Sequence, residues 1–436
     1  MLSISGSGLL DYLKICGDII NLDVKYGVFD DYPLTRQIPY GNIGSMVGTL
    51  TFIEFILNKE HNKQVIEYTN ENNFNFILKR SVKNCNILPE HIFNDIYMRD
   101  FINEGLKEFI ISKIVSPHPA GIQAFDFKVT YIQQKHWLVT EFLMEKAGVS
   151  LTKYMNNPAN SLDFVKYFTQ LSSLMEHMEK EQIFYSDVKF DNCLVDTKGN
   201  FRIIDYDVTK AEGYYSSKTK VTTNKILGFS DGYVAPEIYN PINDAKMNKT
   251  IPIFQNVMPW RADIYSCGIL GLCVSGAIDA VQRSNIKDLD NYKVNPSKHQ
   301  FILDQCKLVK CKNDALSKKM QYVLEVCLSY DPKRRITFKQ LHTIMMKIQD
   351  IKYDLSKLQQ DVEFYRKENH EFQTKNQLKN NNEDLTLQIN NIVLRNQELE
   401  KDYNNLNEKY IQTMNSLKIS EKNFEVLKTQ NKDLEE

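Results

Sequence analysis

The chain has little in its composition that would assign a function. Its 54 lysines and arginines are offset by 55 aspartates and glutamates, and the formal net charge of -1 supplies no field to draw it to nucleic acid or an anionic membrane. The eight cysteines are scattered, with only Cys306 and Cys311 close together, which excludes both a zinc-ligand spacing and a disulfide framework. No run of about 18 apolar residues is present, and the opening stretch MLSISGSGLLDYLKICGDII lacks the basic flank, long apolar run and small-residue cleavage site of a secretory leader. These absences read as a soluble, reducing, cytoplasmic protein with no nucleic-acid partner and no membrane span.

Glycine is missing after Gly276 and proline after Pro332, so the C-terminal stretch contains no helix breaker. From about Ile348 its apolar positions recur at three and four: Ile351, Leu355, Leu358, Val362, Tyr365 and Phe372. After a slip near residue 375 the spacing becomes seven, through Leu378, Leu385, Ile392, Leu399 and Leu406, with Ile389, Tyr403, Tyr410, Leu417 and Phe424 in most partner positions. That is a heptad pattern, and it predicts a coiled coil over 351–436, a rod of roughly 130 Å if continuous. Asn369, Asn382, Asn396 and Asn431 at core positions would lower stability while setting register. The competing reading is a solvated single helix or a disordered segment. Such a stripe needs a partner, either a second copy or another chain, and association with the cytoskeleton is one use for it.

At 436 residues the chain exceeds what a single core serves, so two or more units are expected. The body reads as short β-prone runs first (50–57, 74–80, 125–132, 136–142) and longer helical patterns later (162–180, 262–274, 317–329, 337–348), an α+β arrangement in two lobes. Within it, FYSDVKFDNCLVDTKGNFRIIDYDVTK places CLV and FRII around an Asp and Gly-Asn turn, which predicts a hairpin. A hairpin brings its ends together, so Asn192 and Asp205 would sit side by side, with Asp187 and Lys189 on the preceding loop. Oxygen ligands beside one ammonium suit a magnesium-phosphate complex.

YSDVKFDN followed by IIDYD resembles the catalytic loop and metal-binding motif of the eukaryotic protein kinases, and the match continues in order along the chain. FILK resembles the strand that ends in the phosphate-anchoring lysine, here Lys79. NEGLKEFIISKIVSPHPAGI resembles the next helix and its His-Pro turn, with Glu108, or failing that Glu104, as partner of Lys79. WLVTEFL resembles the hinge strand, which would make Thr140 the gatekeeper and put the Glu141 carbonyl and Leu143 amide at the adenine edge. DGYVAPEIY, RADIYSCGILGL and CLSYDPKRRIT resemble the segments that carry Glu237, the bracing Asp263, and Arg335, the ion-pair partner of Glu237.

The resemblance implies a bilobal protein kinase fold over 30–348, with the small lobe to about 142 and the large lobe from 143, behind an N-terminal extension, 1–29. It implies an ATP- and Mg2+-dependent enzyme acting on protein Ser/Thr hydroxyls. Asp187 would orient the substrate hydroxyl, Lys189 would neutralise the γ-phosphate, and Asn192 with Asp205 would hold magnesium. Ser230, seven residues before Glu237, and Lys189 favour Ser/Thr over Tyr. Several positions depart from the family pattern. In PYGNIGSM the glycine loop would keep Gly41 and Gly44 but has Pro39 and Met46, and the register IGSMVGTL would use Gly48 instead. Gly44 to Lys79 is about twice the family's spacing, predicting an inserted hairpin around NKEHNKQVIEYTNENN. Ile77 crowds the nucleotide roof where alanine is usual, Ser186 stands where an arginine would bind an activating phosphate, and Tyr185, Tyr206 and Asp207 alter the motifs around Asp187 and Asp205. Three readings follow: an active Ser/Thr kinase with a coiled coil for dimerisation or targeting, a pseudokinase that transfers nothing, and a coiled-coil adaptor with a kinase-like head.

Overall fold

The computed structural model describes residues 22–25, 37–39, 49–58, 63–69 and, with breaks that include 88–91, 133–135, 212–229 and 280–282, residues 74–374, plus scattered helical positions between 394 and 420. The chain divides into two units, Met1–Arg366 and Lys367–Glu436. Among the described residues the first opens with seven strands: β1 (Leu22–Lys25), β2 (Gln37–Pro39), β3 (Thr49–Asn58), β4 (Lys63–Thr69), β5 (Asn75–Asn84), β6 (Ala124–Ile132) and β7 (Trp137–Glu145). They form one sheet in the order β1-β6-β7-β5-β4-β3-β2, antiparallel throughout except for β1 beside β6. Between β5 and β6 runs α1 (Ile96–Val115), capped by Asp95, whose side chain accepts from the amides of Tyr97 and Met98.

Strand alternation decides what the sheet offers to the rest of the molecule. Along β5, Phe76, Leu78 and Arg80 are buried on one face while Ile77 and Lys79 lie half-buried on the other. Lys79 pairs with Phe142 of β7 and with Val65 of β4, and Ile77 pairs with Met144 and Glu67. β4 occupies much of the stretch read above as an inserted hairpin, and it is the strand between β3 and the lysine strand. Gly41, Gly44 and Gly48 lie outside the described residues. The strands on either side of them, β2 and β3, stand at the far edge of the sheet, with β4 separating them from β5.

The large lobe begins with β8 (Val149–Ser150), α2 (Leu151–Met155) and α3 (Phe164–Lys180), then β9 (Ile183–Phe184), a 3-10 turn over Phe190–Asn192, the hairpin β10 (Cys193–Val195) and β11 (Phe201–Ile203), and β12 (Lys210–Ala211). It continues with α4 (Pro236–Asn248), α5 (Pro259–Val274), α6 (Arg283–Asp288), α7 (Pro296–Cys306), α8 (Asp314–Cys327) and α9 (Phe338–Lys347). Every residue of α5 from Arg261 to Val274 is buried, as a helix apolar on all sides requires. Its close approach to α8 depends on Gly268, where a Cβ would lie 2.7 Å from the Leu328 side chain.

The structure differs from expectation at the start of the predicted coiled coil. Residues 355–372 are helical, but Tyr353, Leu358 and Val362 are buried in the core of the large lobe, and Leu355 and Tyr365 pack against it. The turn into this helix is held by Lys319, whose ammonium donates to the carbonyls of Ile348, Asp350 and Tyr353. Arg366 Nε donates to Arg334 O at 2.9 Å. The expected boundary at 348 to 351 therefore falls inside the first unit: the apolar residues nearest the domain cover the domain itself. Leu358→Ala is expected to cost about 2–5 kcal/mol in denaturant unfolding, the price of a buried leucine. Ile351→Ala, at a side chain 95% exposed, should leave the midpoint unchanged.

Candidate active site

Lys79 leaves the lower face of β5 and meets two carboxylates from elsewhere in the chain. Its Nζ lies 2.6 Å from Glu108 Oε1 on α1 and 2.7 Å from Asp205 Oδ1 just beyond β11. Burial works against the charge on Lys79, but the two carboxylates outweigh it and hold its pKa well above the ordinary lysine value. Of the two partners open to Lys79, α1 presents Glu108 and leaves Glu104 exposed. Lys107, the neighbour of Glu108, donates to the carbonyl of Asp207, so α1 grips the 205–207 segment at two points.

The predicted hairpin is present. Cys193 pairs with Ile203, and the Ile204 amide donates to Asn192 O at 3.0 Å, which brings Asn192 and the approach to Asp205 together. At the turn, Asp196 accepts from the amides of Lys198 and Asn200, both at 2.8 Å. Asp205 itself takes φ +72° and Ser186 φ +63°, left-handed conformations that are strained outside glycine.

Asp187 is buried at the centre of a polar network. Its Oδ2 accepts from Lys189 Nζ at 2.5 Å and Asn192 Nδ2 at 2.9 Å, and its Oδ1 accepts from Ser230 Oγ at 2.8 Å. Burial pushes its pKa above the ordinary aspartate value, against the pull of Lys189 and of these hydrogen bonds. The loop that carries it is fixed from below by Asp263 of α5, which accepts from the amides of Tyr185 at 2.7 Å and Ser186 at 2.9 Å. Burial pushes Asp263 up to about 7, the two amides acting in the opposite sense. Tyr185 and Tyr206 meet edge to face with centroids 5.6 Å apart, and each hydroxyl finds an acceptor, Ile204 O and Ile203 O respectively.

Two expected adenine contacts require correction. Glu141 and Leu143 sit in the middle of β7, with β5 on one side and β6 on the other, so their backbone groups belong to the interior of the sheet. The Glu141 side chain accepts from Arg80 Nε at 2.8 Å on the opposite face from Lys79, and both residues are buried. Thr140 faces α1: a Cβ on Gly105 would lie 3.4 Å from its Oγ1. β7 runs on to Glu145, and the chain leaves the sheet at Lys146–Gly148. Beside that exit, Met144 and Ala147 share an apolar cluster with Ile122, Ala124 and Phe142, against which Ile77 from above and Leu194 and Ile204 from below are packed.

The described residues contain no group of three or more His, Cys, Asp or Glu side chains able to hold a metal. Asn192 and Asp205 offer hard oxygen donors, which suits a cation that keeps water and phosphate in its remaining positions, as magnesium does, rather than one needing an all-protein cage.

Comparison with known proteins shows the family of the chain. The protein kinase domain family matches residues 97–345, more than half of the chain, and the chain belongs to that family. Among curated relatives, the nitrogen permease reactivator protein of Saccharomyces cerevisiae is 24% identical over 182 residues, 42% of this chain and 20% of the relative. CBL-interacting serine/threonine-protein kinase 8 of Arabidopsis thaliana is 25% identical over 176 residues, 40% of this chain and 34% of the relative. Serine/threonine-protein kinase GIN4 of Saccharomyces cerevisiae is 25% identical over 253 residues, 56% of this chain and 19% of the relative. The matched part thus spans 19% to 34% of these relatives' lengths. No helix among the described residues is long and apolar enough to cross a membrane.

Sequence reasoning did not find Arg80 with Glu141, the Lys107 contact to Asp207, or Lys319, because single charged residues on strands and helices carry no local signal of being paired. Arg335 with Glu237 was found, and the structure joins them with bonds of 2.7 and 3.0 Å at a fully buried guanidinium. Arg335→Met would leave the Glu237 carboxylate enclosed without its cation. A loss of about 3–5 kcal/mol is expected in urea or guanidinium unfolding.

Proposed function

We propose that the protein is an ATP- and Mg2+-dependent kinase that transfers the γ-phosphate to Ser/Thr hydroxyls of protein substrates. The observation that carries this reading is the assembled set of charged groups: Lys79 bridging Glu108 and Asp205, with Asp187 held by Lys189, Asn192 and Ser230. Charged groups gathered without ligand oppose one another through desolvation, and such clusters concentrate at functional sites. Lys79 anchors nucleotide phosphate, Asn192 and Asp205 hold the cation, Asp187 orients the acceptor hydroxyl and Lys189 neutralises the transferring group. Magnesium, when bound, supplies charge neutralisation between phosphate oxygens.

The strand order supports a different proposal for the nucleotide contacts. The hairpin next to the lysine strand is β3 with β4, where Asn58 pairs with Lys63 across the connection Lys59-Glu60-His61-Asn62. We place the phosphate cover there, with Val65, opposite Lys79, over the base, and not at Gly41 and Gly44. The adenine edge moves to 145–147, with Ile77 and Leu194 above and below the base. Gly44→Val should then leave ATP affinity unchanged and Val65→Arg should abolish it, read by titration with a fluorescent nucleotide. Equal losses would return the cover to the glycines.

A pseudokinase is the second reading, favoured by Ile77 in the roof and by the absence of glycine from the 59–62 connection. The exposed Leu399 and Leu406, seven residues apart and helical, support the proposal that the second unit pairs with a second copy or another chain and so dimerises or targets the kinase. A cytoplasmic location, in association with the cytoskeleton, fits this reading.

Transfer of label from radioactive ATP to the protein and to a generic basic acceptor decides between the two. Asp187→Asn and Asp205→Ala should each abolish it. The acid limb of the rate profile should lie above the ordinary aspartate value, because Asp187 works deprotonated, its pKa is raised, and activity is lost as pH falls through it. A wild type that binds nucleotide and transfers nothing would establish the pseudokinase.

A further inference from the structure

Downstream of Ser230 the chain makes a tight passage that neither the motif resemblance nor the reaction explains. Gly232 takes φ +82°, and a Cβ there would lie 2.1 Å from the carbonyl oxygen of Ile286 on α6. Its amide donates to Asp290 Oδ2 at 3.0 Å, and its carbonyl accepts from Lys293 Nζ at 2.7 Å. Lys293 and Asp290 are themselves joined at 2.7 Å. Both are buried, the lysine completely, and its ammonium lies 5.9 Å from the ring of Tyr239 on α4 and 5.8 Å from that of Tyr265 on α5. A buried ion pair is costly to form, and here it spends both members on the two backbone groups of one glycine.

What lies on either side gives the pair its meaning. Two residues before Gly232, Ser230 donates to the base Asp187. One residue after it, the Tyr233 hydroxyl accepts from the Phe190 amide in the catalytic loop and the Tyr233 carbonyl accepts from Ser266 of α5. Position 186, beside Asp187, is a serine, which has no charge with which to hold a phosphate.

Resting on the kinase reading above, we propose that Lys293 and Asp290 are positioning residues that fix the Ser230–Tyr233 segment against Asp187, an internal ion pair in place of a phosphate-arginine contact. The segment's approach to the acceptor hydroxyl is thereby set by folding. The segment holds its place without modification, and wild-type activity withstands phosphatase treatment.

The test uses the full chain with Lys293→Met, Asp290→Asn and the two combined. Either single variant strands a buried charge and is exposed to unfolding; the double variant removes both charges and keeps the fold measurable. In the double variant, hydrogen exchange of the 230–234 amides should rise, and kcat toward a generic basic protein should fall about tenfold or more, with ATP affinity unchanged. Unchanged exchange and unchanged kcat in a folded double variant would overturn the proposal, as would loss of wild-type activity on phosphatase treatment. If the wild type transfers no phosphate, the kinase reading fails, and the exchange measurement alone still decides whether the pair anchors the segment.

Discussion

One ammonium group, Nζ of Lys79, holds the site in its assembled form. It is shared between a carboxylate on the helix that crosses behind the sheet and a carboxylate at the end of a hairpin in the other lobe. Neither carboxylate would sit partly enclosed beside the other without it, since like charges at that separation repel and lose solvation together. The sheet, α1 and the 205–207 segment therefore take their relative positions from a contact that costs solvation to form. Lys107 adds a second tie between α1 and the same segment.

The large lobe applies the same rule below. Asp187 is kept by groups that come from three places: Lys189 and Asn192 on its own loop, Ser230 from the segment after residue 229, and Asp263 of α5, which braces the backbone. Asp263 works through two amides, which oppose the rise in its pKa that burial causes. Arg335 with Glu237, and Lys293 with Asp290, are buried pairs in this lobe whose acceptors and donors reach main-chain atoms as well as each other. In each case a charge is enclosed, and the backbone around it is positioned as the return.

The hairpin between Asn192 and Asp205 was legible because its signal is local: β-prone runs around an Asp and Gly-Asn turn admit few alternatives. Most of the other runs were legible to within a few residues for the same reason, from alternation or helical period. The glycine cover reads locally at 41 to 48, residues that lie outside the described ones, whereas the position of β4 between their flanking strands and Lys79 carries no local signal. Glu141 and Leu143 read as adenine-edge residues because the β-prone run reads as ending at Phe142. Its continuation to Glu145 depends on partners in β5 and β6 that are remote in sequence. At the C-terminal end, Tyr353, Leu358 and Val362 read as part of a heptad stripe, yet they cover the large lobe. An apolar stripe states that a face must be buried and is silent on what buries it.

The amino-acid order alone determined the identity and spacing of the candidate site groups, from Lys79 through Asp187, Lys189, Asn192 and Asp205 to Arg335, and the resemblance to the protein kinases that they carry. Tertiary structure decided which acid meets Lys79, which hairpin lies beside the lysine strand, that β7 runs on to Glu145, and that Gly232 is held by a buried Lys-Asp pair. The reason is physical. Spacing and periodicity are properties of neighbouring residues, whereas pairing and desolvation are properties of residues brought together across tens to hundreds of positions, and only the packed chain states which of them meet.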